Sequence, residues 1–574
     1  MPHTPRRRTT RAGRALISAA LAAVALCAPA RATRAQGGPQ RDTTPGFVIR
    51  DQTVLANCGG CHGADTTGRI KRLSYMRKTP EGWEASVRRM VTLNGVRLDP
   101  AAARAIVKYF ANNQGLSPAE LRPGRFEVER RMIDYRYAAD TRTETACKAC
   151  HSMGRVITQR RTRDEWGLLL AMHRGYYPLA DFQGFRRFAP PPPDSAGAGH
   201  PMDHAISHLA QAFPLRTSDW AAWSATMRPP QVEGRWLLSG RQPGRGAFHG
   251  RLTIARAGAD DEFTTRATYR YVKDGAVAAR EGRAVVYTGH QWRGRSAETG
   301  RGDAADSAWR EVMHVEPGWQ EMSGRWFRGA YDEFGIDVTL TRLGANPVVA
   351  GVFPRALRSG ATHDVTIIGA NLPRQPQASA VDFGPGVRVE RVVRATPDEL
   401  TVRVRVDSAA AIGGRDLFVA GASLRGGAVV FDRVSRIKVT PLAGMARVGG
   451  ARFPKQYQAF EAVAYHHGVD GKPDTDDDVE LDRVDVTWSL EEYGVTYEDD
   501  DVRFVGSIDQ RGVFTPALDG PNPQRSQNRN NIGDVWVVAT YKPGGADTRT
   551  LTARAHLLVT VPLYMRWEPW RAEP

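Results

Sequence analysis

The chain has 574 residues, is 41% hydrophobic and 25% charged, and carries a formal net charge of +17 from 79 Lys and Arg against 62 Asp and Glu. Length alone predicts about four domains, enough chain to bury several hydrophobic cores. The basic residues are dispersed rather than gathered into a stripe, which argues against a nucleic-acid partner.

Residues 1–36 read as a signal peptide. Arg6, Arg7, Arg8, Arg11 and Arg14 precede an apolar run from Ala15 to Ala30, too short and too alanine-rich for a permanent span. The arginines match a twin-arginine signal only loosely. Cleavage options at Ala30-Arg31-Ala32 and Thr33-Arg34-Ala35 put the mature start near Gln36. Leu26 precedes Cys27 where a lipoprotein site would need a small residue. The expectation is an exported periplasmic protein with no membrane anchor.

Residues 37–212 read as helical and contain two CxxCH pentapeptides, Cys58-Gly59-Gly60-Cys61-His62 and Cys147-Lys148-Ala149-Cys150-His151. This is the attachment pattern of c-type haem: two thiols become thioethers to the vinyl groups, and the adjacent histidine is the proximal iron ligand. Two covalently bound haem c groups are therefore expected, on Cys58, Cys61 and His62 and on Cys147, Cys150 and His151. The four cysteines of the mature chain are then all in use, so hydrophobic cores and not disulfides must hold the fold.

An electron-transfer haem also needs a distal ligand, usually Met or His. Trp83 is followed seven residues later by Met90, and Trp166 seven residues later by His173. Positions i, i+4 and i+7 share a helix face, so Val87 and Leu170 complete two apolar stripes, each with a ligating atom at its end. Met90 and His173 are the candidate distal ligands. Met76 is the alternative for the first haem; Met172 lies about 100° off the stripe, and Met153 is too close in sequence to His151 to reach the opposite side of the same iron. A thioether raises the potential and a second imidazole lowers it relative to Met, so the two haems are expected to be unequal.

The charge is concentrated here. Residues 1–36 hold seven arginines and no acid, while residues 37–210 hold 26 Lys and Arg against 17 Asp and Glu. That excess reads either as a solvated surface offsetting the four haem propionates or as a docking face for an acidic electron-transfer partner. The run from Pro190 to Gly197 reads as an exposed loop. Beyond it His200, His204 and His208 fall at helical spacing; they read as solvated polar positions, with a metal site or a haem contact as alternatives.

From Val232 the texture becomes β. Glu262 to Val272 alternates, a turn follows at Lys273-Asp274-Gly275, and Trp236, Trp292, Trp309, Trp319 and Trp326 are spread among glycines. Residues 232–343 are expected to form a small closed antiparallel barrel. Residues 345–440 read as an immunoglobulin-like sandwich, with Val352-Phe353-Pro354, Gly360 and Val365 to Leu372 resembling the opening of TIG-type domains. Residues 445–574 form a further β-sandwich, with strands at Val484 to Trp488 and Val535 to Ala539. The fold class is thus multidomain, α followed by all-β. No nucleophile elbow, phosphate loop or HExxH motif occurs in these β units. The stretch Asp470 to Asp478 holds five aspartates in nine residues; it reads as a solvated acidic turn, with calcium as the alternative, since the spacing is not that of an EF-hand.

A signal peptide, a dihaem region with CGGCH and CKACH, then three β domains resembles the alpha subunit of quinohemoprotein amine dehydrogenase. Most telling are Trp83 to Gly95 and Trp166 to Pro178 after the respective haem motifs. The resemblance implies a heterotrimer with a β-propeller subunit and a small gamma subunit. The gamma subunit bears cysteine tryptophylquinone, on which a primary amine is oxidised to an aldehyde with release of ammonia. It also implies an external cytochrome c or cupredoxin as electron acceptor. Every mature cysteine here is committed to haem, so the quinone belongs on a partner chain, and this chain relays electrons and acts as scaffold. The alternative is a stand-alone dihaem cytochrome c with β-domain binding modules. A dihaem peroxidase, which needs an open distal site, is disfavoured by the paired candidate ligands.

Overall fold

The computed structural model describes residues 42–124, 137–148, 151, 153–177, 180, 184–185, 200–299, 308–328, 335–450, 452–494, 499–544 and 547–562. The expected signal peptide and Cys150 lie outside the described residues.

The N-terminal region is helical. Helix α1 (Gln52–His62) starts at Asp51, whose carboxylate accepts from Val54 N, and stops at Gly63, whose φ of 55° ends the helix. Helices α2 (Pro80–Asn94) and α3 (Pro100–Asn113) begin with proline behind the capping side chains of Thr79 and Asp99. Two short helices follow, α4 (Pro118–Leu121) with a capping box between Ser117 and Glu120, and then α5 (Thr141–Lys148). The one-turn α6 (Gly154–Ile157) leads to α7 (Arg163–Tyr176), which is capped by Thr162. Helices α8 (Pro201–Ala212) and α9 (Ser218–Thr226) close the region, so the helical part runs past residue 212.

A two-stranded ribbon joins its halves. Strand β1 (Met76–Lys78) pairs antiparallel with β2 (Gln159–Arg161), setting Met76 opposite Arg161, Arg77 opposite Arg160 and Lys78 opposite Gln159. Each strand runs through a capping threonine into a long helix, β1 into α2 and β2 into α7. Each half has its own core. Val54, Ile70, Met76, Trp83, Ile106 and Phe110 form one, with Cys58 and Val87 at its edge. Met153, Trp166, Leu170, Met202 and Leu209 are central to the other, with Cys147 at its edge.

Eight antiparallel strands, β3 (Gly234–Gln242), β4 (Gly246–Arg256), β5 (Glu262–Tyr271), β6 (Val277–Tyr287), β7 (Gln291–Glu298), β8 (Ala308–Val315), β9 (Glu321–Arg328) and β10 (Gly335–Arg342), close into a barrel as β10 pairs with β3. Alternation sends one face inward, and Trp236, Phe248, Phe263, Tyr269, Trp292 and Trp326 fill the interior. At roughly 150–250 Å² each, such aromatics contribute on the order of 4–6 kcal/mol apiece in gross burial. The turn between β6 and β7 grips the helical region. Thr288 N donates to Asn112 Oδ1 at 2.7 Å, the His290 ring bonds Leu116 O at 2.9 Å, and Trp223 Nε1 donates to Thr288 O at 3.0 Å. Lys108 with Asp261 at 2.7 Å and Arg293 with Glu81 add ion pairs.

Two four-stranded sheets follow as a sandwich, between Val348–Phe353 and Ala422–Phe431, over a core of Leu357, Ile367, Phe383, Val402, Leu417 and neighbours. The strand Arg436–Thr440, expected in this unit, pairs instead with Glu461–His466. It belongs to the last unit, whose three sheets enclose Phe460, Trp488, Phe514, Val537 and Leu557. No described helix is long and apolar enough to cross a membrane.

Candidate cofactor-binding site

The first CxxCH motif forms the last turn of α1. A spacing of i, i+3 places Cys58 and Cys61 on one face of that turn, Cys58 half-buried against the first core and Cys61 exposed. Burial, and after it the neighbouring Cys61, pushes the Cys58 thiol above its usual range. The half-buried His62 is pushed down by desolvation, while a hydrogen bond to the Lys71 backbone acts in the opposite sense.

Across this core, α2 presents Trp83, Val87 and Met90. Trp83 is 1% exposed, stacks on Phe110 with ring centroids 4.3 Å apart and donates from Nε1 to Gln114 O. Val87 packs against the same cluster as Cys58, and Met90, one turn on, is half-buried. Met76 is 5% exposed and sits within the core on β1.

In the second half Cys147 is half-buried near the end of α5, and His151 N donates to Cys147 O. The rings of His151 and His173 lie with centroids 6.2 Å apart and planes inclined by 50°. Metal–nitrogen bonds of about 2 Å on either side of one iron, with a little over 1 Å from nitrogen to ring centre, give roughly 6 Å. His173 Nδ1 is engaged with Leu169 O at 2.7 Å, which leaves Nε2 as its ligating atom. Trp166 anchors α7 as Trp83 anchors α2, 1% exposed and donating from Nε1 to Phe213 O. Met153 is fully buried core. Thiols, imidazoles and a thioether are the donor set of a haem protein, and the separation of the two rings fits a haem between them.

The expected loop from Pro190 to Gly197 lies outside the described residues; the three histidines after it serve the fold. His200 caps α8; His204 Nε2 meets Asp140 at 2.6 Å; and the ring of His208 bonds Tyr137 OH at 2.7 Å. His204 and His208 fasten α8 to the segment that leads into the second motif, in place of the solvated positions expected. The acidic turn is similarly occupied by the protein itself. Asp474 bonds Arg436 and Lys438, Asp478 bonds Arg436, and Asp477 accepts from the amides of Val469 and Asp470. Among the described residues, the acidic trio within ligand reach of one another is Glu492, Asp499 and Asp501, outside this turn.

Sequence reasoning missed the ribbon and its cations. Arg77 is fully buried, and its guanidinium forks onto Glu120 at 2.7 and 2.8 Å; Arg160 reaches the same carboxylate at 3.2 Å. Burial raises the Glu120 carboxyl, but the hydrogen bonds and charge of Arg77, with Arg160 and the Ser117 amide, outweigh it and hold the group at about 2. Burial lowers Arg161 to about 9 against the pull of Glu165, with Arg72 and Arg89 adding to the fall. Lys78 lies over Trp83 and Arg161 over Trp166, at 5.3 and 5.6 Å from the ring centroids. The signal was available: Arg77-Lys78-Thr79 and Arg160-Arg161-Thr162 each precede their tryptophan by the same spacing.

Four models of one family align with the chain. The quinohemoprotein amine dehydrogenase A alpha-subunit haem-binding model matches residues 49–220. The models of alpha-subunit domains II, III and IV match residues 229–343, 345–432 and 437–570. No curated protein sequence matches the chain. Among solved structures, a redesigned beta barrel is 12% identical and covers 21% of this chain and 98% of its own, with a TM-score of 0.18. A gamma-CGTase from Alkalophilic bacillus clarkii is 8% identical and covers 53% of this chain and 41% of its own, with a TM-score of 0.16.

Proposed function

The chain belongs to the quinohemoprotein amine dehydrogenase alpha-subunit family, and from that premise we propose that it is the dihaem electron-transfer subunit of a periplasmic amine dehydrogenase. In this reading a primary amine is oxidised to aldehyde and ammonia on a cysteine tryptophylquinone of a small gamma subunit. A β-propeller subunit completes the assembly, and an external cytochrome c or cupredoxin takes the electrons.

The observation that carries the proposal is the juxtaposition of His151 and His173, 6.2 Å between ring centroids, at the second CxxCH motif of a chain that has two. When bound, each haem supplies a one-electron redox centre. The chain's own residues fix where those centres sit. Cys58, Cys61 and His62, with Met90, would hold the first, and Cys147, Cys150 and His151, with His173, would hold the second. The Leu169 carbonyl orients the ligating ring of His173. Trp83 and Trp166 pin the helices that carry the distal ligands. With all four cysteines of residues 37–574 inside the haem motifs, amine chemistry through a thiol-derived quinone falls to another chain.

The test is purification of the native assembly. The chain should co-purify with a small cysteine-rich chain and a propeller chain, and primary amine should reduce its haems in that assembly and not in the chain purified alone. Reduction of the isolated chain by amine would overturn the division of labour.

A further inference from the structure

Between the two haem motifs lies a group of four cations, two buried and two half-buried, with too little negative charge of its own. Lys78 at the end of β1 is 4% exposed and Arg161 at the end of β2 is 2% exposed. Arg89 on α2 and Arg72 complete the group. The charges acting on Lys78 are those of Arg161, Arg89, Glu165 and Arg72, and the charges acting on Arg161 are those of Glu165, Arg72 and Arg89. Glu165 is thus the shared carboxylate. It accepts from Arg72 Nε at 2.8 Å and lies 3.6 Å from Arg161 Nη1, beyond hydrogen-bond reach. Arg161 Nη1 and Arg89 Nε are buried without a hydrogen-bond partner. Lys78 Nζ donates to a neutral acceptor, Ser86 Oγ, at 2.6 Å.

Contrast the other cations of the ribbon. Arg77 and Arg160 share Glu120, and each also donates to backbone carbonyls of its own, Arg77 to Leu215 O and Gly115 O and Arg160 to Ile157 O. Burying cations without counter-charge costs several kcal/mol per ion, and orphaned buried N–H groups are rare in finished structures. The group therefore reads as half of a site whose other half is anionic. Its position says which anion: Lys71 N donates to Gly63 O at 3.1 Å, next to His62, so the adjacent Arg72 and the Glu165 it bonds stand beside the first haem motif.

We infer that Lys78, Arg89 and Arg161, with Arg72, form the propionate-binding site of the haem carried by Cys58, Cys61 and His62. The ligand class is a pair of carboxylates on a covalently tethered group, and two such charges with Glu165 nearly balance the four cations. The inference rests on the dihaem reading above. The ribbon thereby makes the second half of the region contribute a residue, Arg161, to the first haem.

The experiment uses the full chain matured with cytochrome c assembly factors, in wild-type form and as Lys78→Met, Lys78→Arg, Arg161→Gln and Arg89→Gln. Intact mass counts the haems, redox titration gives both midpoint potentials, and resonance Raman reads the propionate bending bands. A cation near a haem favours the reduced, less positive form. The charge-removing variants should therefore keep two haems, lower the potential of the haem with the thioether signature, shift its propionate bands, and leave the other haem unchanged. Lys78→Arg should retain the wild-type potential. If buried-site variants fail to accumulate, Arg89→Gln, on a half-buried helical position, should still show the fall. Two haems with wild-type potentials and bands in the charge-removing variants, or a fall confined to the other haem, would overturn the propionate site while leaving the dihaem reading intact. A wild-type chain without haem would instead remove that reading itself.

Discussion

His173 and Met90 occupy matching places on α7 and α2, and their substitution separates the two haems. Met90→Ala should abolish the weak far-red absorption of a thioether on ferric iron and lower one potential, leaving the other nearly unchanged. His173→Ala should disturb only the second haem. If the far-red band survives in Met90→Ala, Met76, buried in the first core, becomes the ligand. Glu120 makes a different prediction. Its carboxyl is held at about 2 against an ordinary 4.5. A depressed carboxylate stabilises the fold fully above about pH 4.5, and that contribution is lost as pH falls from 4.5 toward 2; it is on the order of 3 kcal/mol. Glu120→Gln leaves Arg77 and Arg160 without a counter-charge and should cost about 3–5 kcal/mol. Denaturant unfolding of the helical region against pH would show the loss in wild type and a flatter acid limb in the variant. An acid limb as steep in the variant as in wild type would place the charge elsewhere.

Among the elements, the ribbon and the two helices it launches matter most. Thr79→Ala and Thr162→Ala each remove an N-cap acceptor, from α2 and α7, and should each destabilise by about 1 kcal/mol. The two losses should be similar because the elements are repeats, and a thermal or denaturant shift in one variant only would contradict that equivalence. The tryptophan-to-ligand stripes were legible in the sequence because a helical face repeats every few residues. The ribbon was not, since three-residue strands show no alternation to read and their pairing links residues far apart in the chain. Burial of Arg77 was equally hidden, because an arginine enters a core only when a carboxylate, here Glu120 from far along the chain, meets it. His204 and His208 show the same limit: their helical spacing was plain, but Asp140, which bonds His204, lies in another segment.

Over the whole molecule, alternation and turn residues marked out the barrel before any coordinates, and the family match runs from residue 49 to 570 in four segments. The boundary near residue 436 was harder, because a strand carries no mark of which sheet it joins. Arg77, Lys78, Lys148, Arg160 and Arg161 are buried, so part of the positive excess of residues 37–210 never reaches a partner. Arg50, Lys71, Arg88, Arg97, Arg104, Arg142, Arg155 and Arg174 are exposed. If they form a docking face, the rate of electron delivery to an acidic acceptor should fall as salt rises, since exposed charges are screened over about 8–10 Å at physiological ionic strength. A rate independent of ionic strength would leave them as solvated surface. Everything proposed for this chain depends on two tethered haems, and intact-mass measurement of the protein matured with cytochrome c assembly factors tests that most directly. The mass should exceed that of the mature polypeptide by two haems, each lost separately in Cys58→Ala/Cys61→Ala and Cys147→Ala/Cys150→Ala variants. A gain of one haem or none would contradict the dihaem assignment.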